Sequence, residues 1–514
     1  MSRRWLGLGV LCASLLAIVV DNTIVNVAVP TLARDLEADV SDLQWVVDAY
    51  TLVFAGLLLL AGALGDRYGR RRMLLVGLAV FGGASAWAAS AGGVDGLVAA
   101  RAVMGAGAAL IKPATLSLLI GIFPDPRERS TAIGIWAATA GLGVALGPVV
   151  GGFLLDHFAW GSIFIVNIPL VIVAIAGGRK LLPESSDPAA QRIDWPGAAL
   201  SVVGLVAFVW AVIEAPVRGW TSGPVLLAAA VAAASLVAFV VWQRRTAAPL
   251  LDVRLFRDAR FSAASGTIMV LFFALFGFLF LSTQYLQFVL GYSPWAAGVR
   301  ALPYAGAMIV CAPLSATLVA HLGTKRVVTA GMLLFAGGLA VAATITPGAG
   351  YGRLAVALLL MGAGMGFAGA PATESIMGSL PPDRANTGSA VNDTTRELGG
   401  ALGVAIVGSI MSSLYARELP GDVPAAARES VAAGVGLDPA VAAAVREAFV
   451  LALSRASIVV AVVAALGAVI AWRWLPARAA ASAHHPGRAA AGPPSRSGAG
   501  SAGRPPSSAA GSPP

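Results

Sequence analysis

The sequence predicts an all-α integral membrane protein with fourteen transmembrane helices. Of its 514 residues, 58% are hydrophobic and only 12% are charged, whereas soluble domains contain roughly 25% charged residues. The mean hydropathy is +0.81. Uncharged runs of about 20 residues recur along the chain, and each is long enough to cross a bilayer as a helix. These observations exclude a single water-soluble core.

Apolar windows of about 20 residues define the predicted helices in chain order. Their approximate bounds are 6 to 29, 43 to 64, 73 to 92, 96 to 121, 130 to 155, 161 to 181, 195 to 215, 223 to 242, 260 to 290, 295 to 320, 326 to 345, 351 to 378, 388 to 413 and 449 to 474. An even number of spans puts both termini on the same side of the membrane.

The basic residues predict the orientation. If both termini are cytoplasmic, the inner segments hold 24 of the 35 Lys and Arg residues and the outer loops hold 7. This asymmetry follows the positive-inside rule and predicts a multi-pass protein of the plasma or inner membrane. The net charge of +9 therefore reflects topology, and we expect no nucleic-acid partner.

The N-terminus and the cysteines exclude other classes. Arg3 and Arg4 before an apolar run imitate a secretory signal, but Asp21 and the many later spans favour an uncleaved first helix. Cys12 and Cys311 both fall in apolar runs, so neither a disulfide framework nor a thiolate metal site is expected. Walker loops, HExxH motifs and nucleophile elbows are missing, which argues against an enzyme and against direct ATP drive.

The chain repeats itself with an offset of 254 to 258 residues. Met104 to Gly107 recurs as Met361 to Gly364, and Pro113-Ala114-Thr115 recurs as Pro371-Ala372-Thr373. Such a repeat predicts two six-helix bundles in parallel orientation. The predicted domains are an N-terminal bundle at 1–183, an inserted helix pair with linkers at 184–257, and a C-terminal bundle at 258–475.

Two stretches fall outside the predicted spans. The outer loop 414–448 mixes charges with Ala-rich sequence, and Asp438-Pro439 predicts the start of a short surface helix. Residues 476–514 consist mainly of Pro, Gly, Ser, Ala and Arg, which predicts a disordered cytoplasmic tail.

Carboxylates inside the predicted spans are candidate proton or substrate sites. A charge at the helix centre costs about 2.5 to 3.5 kcal/mol and must face a cavity or a partner. Asp21 lies deep in helix 1, where a packing role with Asn26 is the alternative. Asp48 lies nearer the outer end of helix 2, where it is expected to reach water. Asp21 has only small polar neighbours in sequence, so we expect it to be the better proton carrier.

Predicted helix 13 has the most polar face. Asp393 and Glu397 are four residues apart and share a face, and Arg396 is three residues from Asp393. An internal Arg396–Asp393 pair is expected to leave Glu397 free to titrate; a structural salt bridge near the cytoplasmic boundary is the alternative. Glu374, near the inner end of helix 12, is a further candidate or an ordinary interfacial residue.

Two cations lie eleven residues apart on about the same face of predicted helix 4. Arg101 is followed by the small residues Gly105 to Ala109, which allow close helix approach. Lys112 comes three turns later. Each is a candidate for the binding site, or simply balances a membrane carboxylate.

Helix 5 carries a stripe of glycines around a proline. A packing seam is the minimal interpretation, and a bend that rocks during transport is the functional one. The residues are Gly143, Gly147, Pro148, Gly151 and Gly152.

These motifs resemble a known family. Gly62 to Arg72 resembles the signature loop between helices 2 and 3 of the major facilitator superfamily. Leu142 to Gly152 resembles the antiporter motif of its exporters. Asp21 to Pro30 resembles the helix 1 motif of its fourteen-helix drug:proton antiporters, which are multidrug resistance efflux transporters.

The resemblance covers about residues 5 to 475 and implies two bundles around a central cavity, alternating access, and export of hydrophobic compounds driven by inward proton flow. It assigns Asp66 and Arg70 to a charge relay that closes the cytoplasmic side, within a gating set of Asp66, Arg67, Gly69 and Arg70. The family's helix 13 carboxylates fall on Asp393 and Glu397. Lys112 departs from the expected apolar residue and puts the charge of the substrate in doubt.

The predicted function is therefore proton-coupled efflux of amphipathic small molecules such as drugs, biocides or antibiotics. Arg101 is expected to be the charge partner of the carboxylates. The expected partners are a small-molecule substrate, protons and lipid, with no cofactor or metal, and the chain is expected to be monomeric. An uptake transporter of the same fold is the main alternative. A sensor or scaffold would need a soluble effector domain.

Overall fold

A computed structural model of the chain describes residues 3–186, 193–380, 385–420 and 423–475. Within these ranges, fourteen helices or bent helix pairs are long and apolar enough to span a membrane. We number them α1 to α14: Arg3–Asp35, Val40–Tyr68, Arg70–Ala89, Val94–Ile122, Pro126–His157, Ser162–Leu181, Trp195–Arg218, Gly223–Arg245, Ala259–Val289, Pro294–Leu322, Thr324–Ala342, Tyr351–Met377, Ala385–Glu418 and Pro439–Trp474.

Most helices extend beyond the apolar runs because polar residues cap their ends. At the start of α2, Asp39 and Asp42 form a reciprocal capping box that satisfies two free backbone amides. Asp438 accepts a hydrogen bond from the Ala440 amide with Pro439 in the first turn, as its sequence predicted. This cap begins the continuous 36-residue helix α14 rather than a separate short helix, and the short helices of the outer loop lie before it, at Ala425–Glu429 and Val431–Val435.

Several helices are interrupted. Helix α2 bends by 53° between Leu58 and Leu60, α6 breaks at Val166, and α9 ends in a π-helical turn at Tyr285–Val289. Helix α10 breaks between Arg300 and Leu302. Bends of this kind let polar backbone face a neighbouring helix or a cavity within a membrane.

The two six-helix bundles, α1–α6 and α9–α14, repeat the same helix pairings. In the first bundle α1 contacts α5 and α6, and α4 contacts α2 and α3. In the second, α9 contacts α13 and α14, and α12 contacts α10 and α11. A Cβ on Gly105 would strike the Tyr50 carbonyl, and one on Gly362 would strike the Tyr304 carbonyl. Equivalent glycines therefore allow the same close approach in both bundles.

The inserted pair α7 and α8 lies against the seam between the bundles. Helix α7 contacts both α2 and α13. Ser41 of α2 donates a hydrogen bond to Glu214 of α7 (3.0 Å), and Ser409 of α13 donates to the Val212 carbonyl of α7 (2.8 Å). Helix α8 contacts mainly α7 and exposes most of its apolar surface, which suits a lipid-facing position.

Hydrogen bonds join the two bundles at one end of the molecule. We call the end where α1 begins and α14 ends the terminal end, and the other the opposite end. At the opposite end, Gln44 donates to the carbonyls of Val404 (3.1 Å) and Ala405 (2.9 Å), and Gln287 donates to the Val27 carbonyl (2.9 Å). The predicted tail, 476–514, lies outside the described residues.

Candidate functional site

A buried ion pair joins α1 to α4. Arg101 Nη1 lies 2.6 Å from Asp21 Oδ2, and the side chains are 1% and 0% exposed. Asn167 of α6 donates to Asp21 Oδ1 (2.9 Å), so both carboxylate oxygens are satisfied. Arg101 also donates to the Val46 carbonyl of α2 (3.0 Å), and its guanidinium lies 4.3 Å from the Tyr50 ring centroid. This pair links four helices of the N-terminal bundle.

The contact confirms the prediction that Arg101 is a charge partner of an intramembrane carboxylate, although the small polar residues near Asp21 in sequence did not indicate it. Arg101 is distant in sequence, but the packing of α1 against α4 brings its charge to Asp21. Asn26 does not bind Asp21; it donates to the Asn22 carbonyl one turn back (3.1 Å). The burial that favours a neutral Asp21 is thus offset by a full positive charge.

Asp48 of α2 was predicted to reach water at the outer end of its helix. The structure contradicts this, because the side chain is 0% exposed. Neither carboxylate oxygen has a hydrogen-bond partner within the part of the chain that the structure describes. Helix α2 packs against α4, α7 and α13, so protein rather than water encloses the Asp48 side chain. Asp48 is therefore a buried carboxyl group without compensation from the described residues.

The second charged centre lies between the two bundles. Lys112 Nζ, from α4, is 3.4 Å from Asp393 Oδ1 and 3.4 Å from Glu397 Oε1, both from α13. The two acids do share one face of the helix, as their spacing predicted. The Lys112 side chain is 15% exposed, so the cluster is shielded but not sealed. An ion pair thus connects helices that belong to different bundles.

Arg396 does not form the predicted pair with Asp393. Its Nη2 donates to Thr373 Oγ1 of α12 (2.9 Å), its guanidinium lies 5.2 Å from the Phe272 ring centroid, and its Nε has no hydrogen-bond partner in the described ranges. The helical turn separates the two side chains: Asp393 points across to Lys112, and Arg396 points into its own bundle. Glu374 of α12 is exposed.

The loop between α2 and α3 holds the predicted gating residues. Asp66 Oδ1 accepts hydrogen bonds from Arg70 Nε (3.0 Å) and Nη2 (2.8 Å), and the Arg67 guanidinium lies 5.8 Å from the Tyr68 ring. Gly69 has φ +105°, a backbone conformation that residues other than glycine rarely adopt. The chain therefore turns sharply here, which brings the Asp66 carboxylate to the Arg70 guanidinium.

The same loop is tied to the chain that follows α6. The Arg71 amide donates to Glu184 Oε1 (3.0 Å), the Arg70 amide donates to the Ser185 carbonyl (2.9 Å), and Arg71 Nη1 donates to the Leu182 carbonyl (3.1 Å). Glu184 thus caps the start of α3 from a distant segment. The helix dipole also favours a negative charge at this N-terminal end.

The glycine stripe of α5 lies against two helices. A Cβ on Gly143 would lie 2.8 Å from Val19 Cγ1 of α1, one on Gly147 would overlap Thr23, and one on Gly151 would lie 2.5 Å from Ile24 Cγ1. On the other side, a Cβ on Gly152 would lie 2.5 Å from the Pro294 carbonyl of α10. The seam therefore touches the N-terminal bundle along its length and the C-terminal bundle at the opposite end.

A sequence model described as Major Facilitator Superfamily matches residues 11–404. The chain belongs to the Major Facilitator Superfamily. Its fourteen spans, paired bundles and inserted helices are one form of that superfamily's helical membrane fold.

Similar proteins are known from several bacteria. The chain is 36% identical over 424 residues to the multidrug efflux pump LfrA of Mycolicibacterium smegmatis, covering 82% of this chain and 84% of the relative. It is 34% identical over 412 residues to the tetracenomycin C resistance and export protein of Streptomyces glaucescens, covering 80% and 76%. It is 34% identical over 430 residues to the methyl viologen resistance protein SmvA of Salmonella typhimurium, covering 82% and 85%.

Solved structures share the fold at low sequence identity. A bacterial homologue of the lysosomal transporter Spinster, described as inward-facing and unoccupied, has a TM-score of 0.66 with 16% identity over 92% of this chain and 98% of that one. A D-xylose–proton symporter has a TM-score of 0.63 with 14% identity over 93% and 99%.

Several residues of the polar network escaped the sequence prediction. Asn167, Glu184, Gln44 and Gln287 carry the contacts described above. Three of the four are uncharged amides, so a charge inside an apolar run did not indicate them. Asn167 interrupts an otherwise apolar span, which is the signal that would have identified it.

Proposed function

We propose that the protein exports amphipathic small molecules in exchange for protons by alternating access. The observation that carries the proposal is the Lys112–Asp393–Glu397 cluster, which connects the two bundles through titratable side chains. The similarity of the chain to efflux and resistance proteins at 34% identity or more supports export over uptake.

The cluster suits alternating access because its strength depends on protonation. While both acids are ionised, Lys112 attracts them and holds α4 near α13. A change in the protonation of any of the three groups, or a substrate cation bound to the acids, removes part of that attraction. The bundles are then free to change their relative position, so loading of the site is coupled to the conformational change.

A proton gradient supplies enough free energy. One elementary charge moving through 100 mV releases about 2.3 kcal/mol, and tenfold accumulation of a solute costs about 1.4 kcal/mol. One or two protons per cycle therefore sustain a useful substrate gradient.

The remaining residues have supporting roles in the proposal. The Arg101–Asp21 pair stiffens the N-terminal bundle beside the cluster, and buried Asp48 is a second group able to take part in proton transfer. Asp66 and Arg70 form the gate at the terminal end, which the arginine distribution assigns to the cytoplasm. The protein works in the plasma membrane as a monomer.

Everted membrane vesicles test this function. Vesicles that contain the protein should take up ethidium or a comparable dye when acidified inside, and an ionophore that dissipates the pH gradient should abolish uptake. The Asp393→Asn Glu397→Gln double variant should lose gradient-driven uptake while reaching the membrane in normal amount. Uptake that persists without a proton gradient and follows ATP hydrolysis would refute the proposal.

A further inference from the structure

The Lys112 ammonium is held loosely compared with the other buried cation. Its two carboxylate contacts are both 3.4 Å, whereas charge-assisted N–H···O bonds are typically about 2.7 to 2.9 Å. Arg101 approaches Asp21 to 2.6 Å and is fixed by further bonds. Lys112 is a flexible chain with a point charge at its end. Its position between two acids is therefore one that another cation can take.

The surroundings of the ammonium have the composition of an organic-cation site. Two carboxylates, Asp393 and Glu397, face it from α13, and the Phe54 ring of α2 lies 5.3 Å from Nζ. An aromatic face beside carboxylates attracts ammonium and quaternary ligands. Arg396 does not compete for the acids, because its guanidinium is directed to Thr373.

We infer that Lys112 is the tethered occupant of a site for organic monocations, formed by Asp393, Glu397 and Phe54. A cationic substrate entering the site takes the place of the ammonium. Lys112 then loses its proton to water, leaving a neutral amine beside the bound substrate. The inference rests on the proposed function and specifies its substrate class and the group that carries the proton.

The charges balance in this exchange. Before binding, two carboxylates and one ammonium give the cluster a charge of −1, and afterwards two carboxylates and one substrate cation give the same value. One Nζ–H bond breaks for each cation bound, and one forms when the cation leaves. Proton and substrate are thus mutually exclusive at the site, which is the requirement for antiport.

The groups that face Lys112 are few. Helix α13 presents Asp393 and Glu397 to the ammonium, and the positive charge of Arg396, although that side chain is directed to Thr373, opposes them. Helix α2 presents the Phe54 ring to the ammonium, whereas the Tyr50 ring, one turn earlier, lies against the Arg101 guanidinium. Arginine cannot lose its proton in proteins, so Lys112→Arg keeps the ion pairs and removes the proposed exchange.

Calorimetric titration of the purified protein with ethidium and with tetraphenylphosphonium, in two buffers of different ionisation enthalpy, tests the inference. The wild-type protein should release about one proton per cation bound, with affinity rising about tenfold per pH unit. Lys112→Arg should release none and bind at least about tenfold more weakly, since its cation remains in the site. Lys325→Arg, a lysine remote from the cluster beside Trp472, is the matched control and should behave as wild type.

Lys112→Gln tests the same point if the arginine variant does not fold. Because this variant has no ammonium in the site, it should bind both cations more tightly than wild type at neutral pH, and the difference should shrink as the pH rises. Wild-type affinity and proton release in Lys112→Arg, or weaker binding in Lys112→Gln, would overturn the inference. A wild-type protein that exports neutral or anionic compounds against a proton gradient and binds neither cation would overturn it too, while the proposed function would stand.

Discussion

Two aspartates of the N-terminal bundle, Asp21 and Asp48, are fully buried and differ in what surrounds them. One carboxylate oxygen of Asp21 accepts a hydrogen bond from Arg101 and the other accepts one from Asn167. Both oxygens of Asp48 lack partners among the described residues. An unpaired buried charge carries a desolvation penalty of several kcal/mol, and a paired one has that penalty offset. The same substitution at the two positions should therefore affect the stability of the protein differently.

Asp21→Asn should destabilise the protein strongly. It leaves the Arg101 guanidinium buried without a counter-charge, a loss of about 3 to 5 kcal/mol in comparable buried pairs. The change should appear as a lower midpoint of thermal unfolding in detergent. Arg101→Gln in the Asp21→Asn background should recover part of the loss, because the uncompensated charge is gone. Additive effects of the two substitutions would contradict the pairing.

Asp48→Asn should leave the stability unchanged or raise it. Asparagine has the shape of the neutral acid and removes the possibility of an unpaired charge in a fully buried position. The unfolding midpoint compared with that of Asp21→Asn gives the contrast directly. A loss as large as that of Asp21→Asn would mean that Asp48 has an ionic partner in the folded protein.

The residue types of the site were predictable from the sequence, but several partners were not. A charge inside an apolar run identifies Asp21, Arg101, Lys112 and Asp393 as costly and therefore paired. Which cation meets which acid depends on how helices pack across the chain. Short spacing suggested Arg396 for Asp393, yet Lys112, about 280 residues away in sequence, is the partner found.

At the scale of elements, helix α5 shows how a glycine pattern becomes a contact. Its stripe allows α1 to approach so closely that a methyl group on Gly147 would overlap Thr23, 2.8 Å from its Cβ. Helices in a membrane gain association energy from such close packing. The sequence predicted the periodicity of the glycines. It could not predict the second contact, of Gly152 with α10, because that contact depends on how the two bundles pack.

Gly147→Ala should cost about 1 to 3 kcal/mol, because the added methyl group must push α5 away from α1. Gly141→Ala on the same helix is the matched control, since nothing lies within 4 Å of the position that its added methyl group would take. Thermal unfolding and dye export measured on both variants give the comparison. Equal behaviour of the two would show that α1 and α5 are not in close contact in the membrane.

The loop between α2 and α3 is a second element with a predictable motif. Asp66 and Arg70 are both partly exposed, and exposed pairs contribute about 0 to 1 kcal/mol. Asp66→Asn and Arg70→Ala should therefore keep the affinity for ethidium and lower turnover by up to about fivefold, the factor for about 1 kcal/mol. Initial rates beside equilibrium binding separate the two quantities. Loss of binding with an intact fold would contradict the gate assignment.

The existence and order of the fourteen helices followed from hydropathy, because a bilayer demands long apolar helices. Their ends did not. Helix α14 begins ten residues before its apolar window because Asp438 caps it outside the apolar region, and α1 continues to Asp35 past its predicted end. The bend of α2 and the π turn of α9 also arise from tertiary packing.

At the scale of the whole molecule, the internal repeat and the contacts between bundles indicate two units that change their relative position. Equivalent helix pairs build both bundles, and we expect each bundle to move as a unit. Amide side chains such as Gln44 and Gln287 hold the bundles together at the opposite end, and the Lys112 cluster joins them nearer the terminal end. Alternating access then requires these contacts to break while the pairings inside each bundle persist.

The most direct test of proton-coupled export uses proteoliposomes without an imposed pH gradient. A gradient of ethidium alone should drive protons in the opposite direction, because coupling in an exchanger is reciprocal. A pH-sensitive dye inside the vesicles should therefore report acidification as ethidium leaves, and the Asp393→Asn Glu397→Gln variant should show none. Ethidium efflux without acidification, or with protons leaving alongside it, would contradict proton antiport.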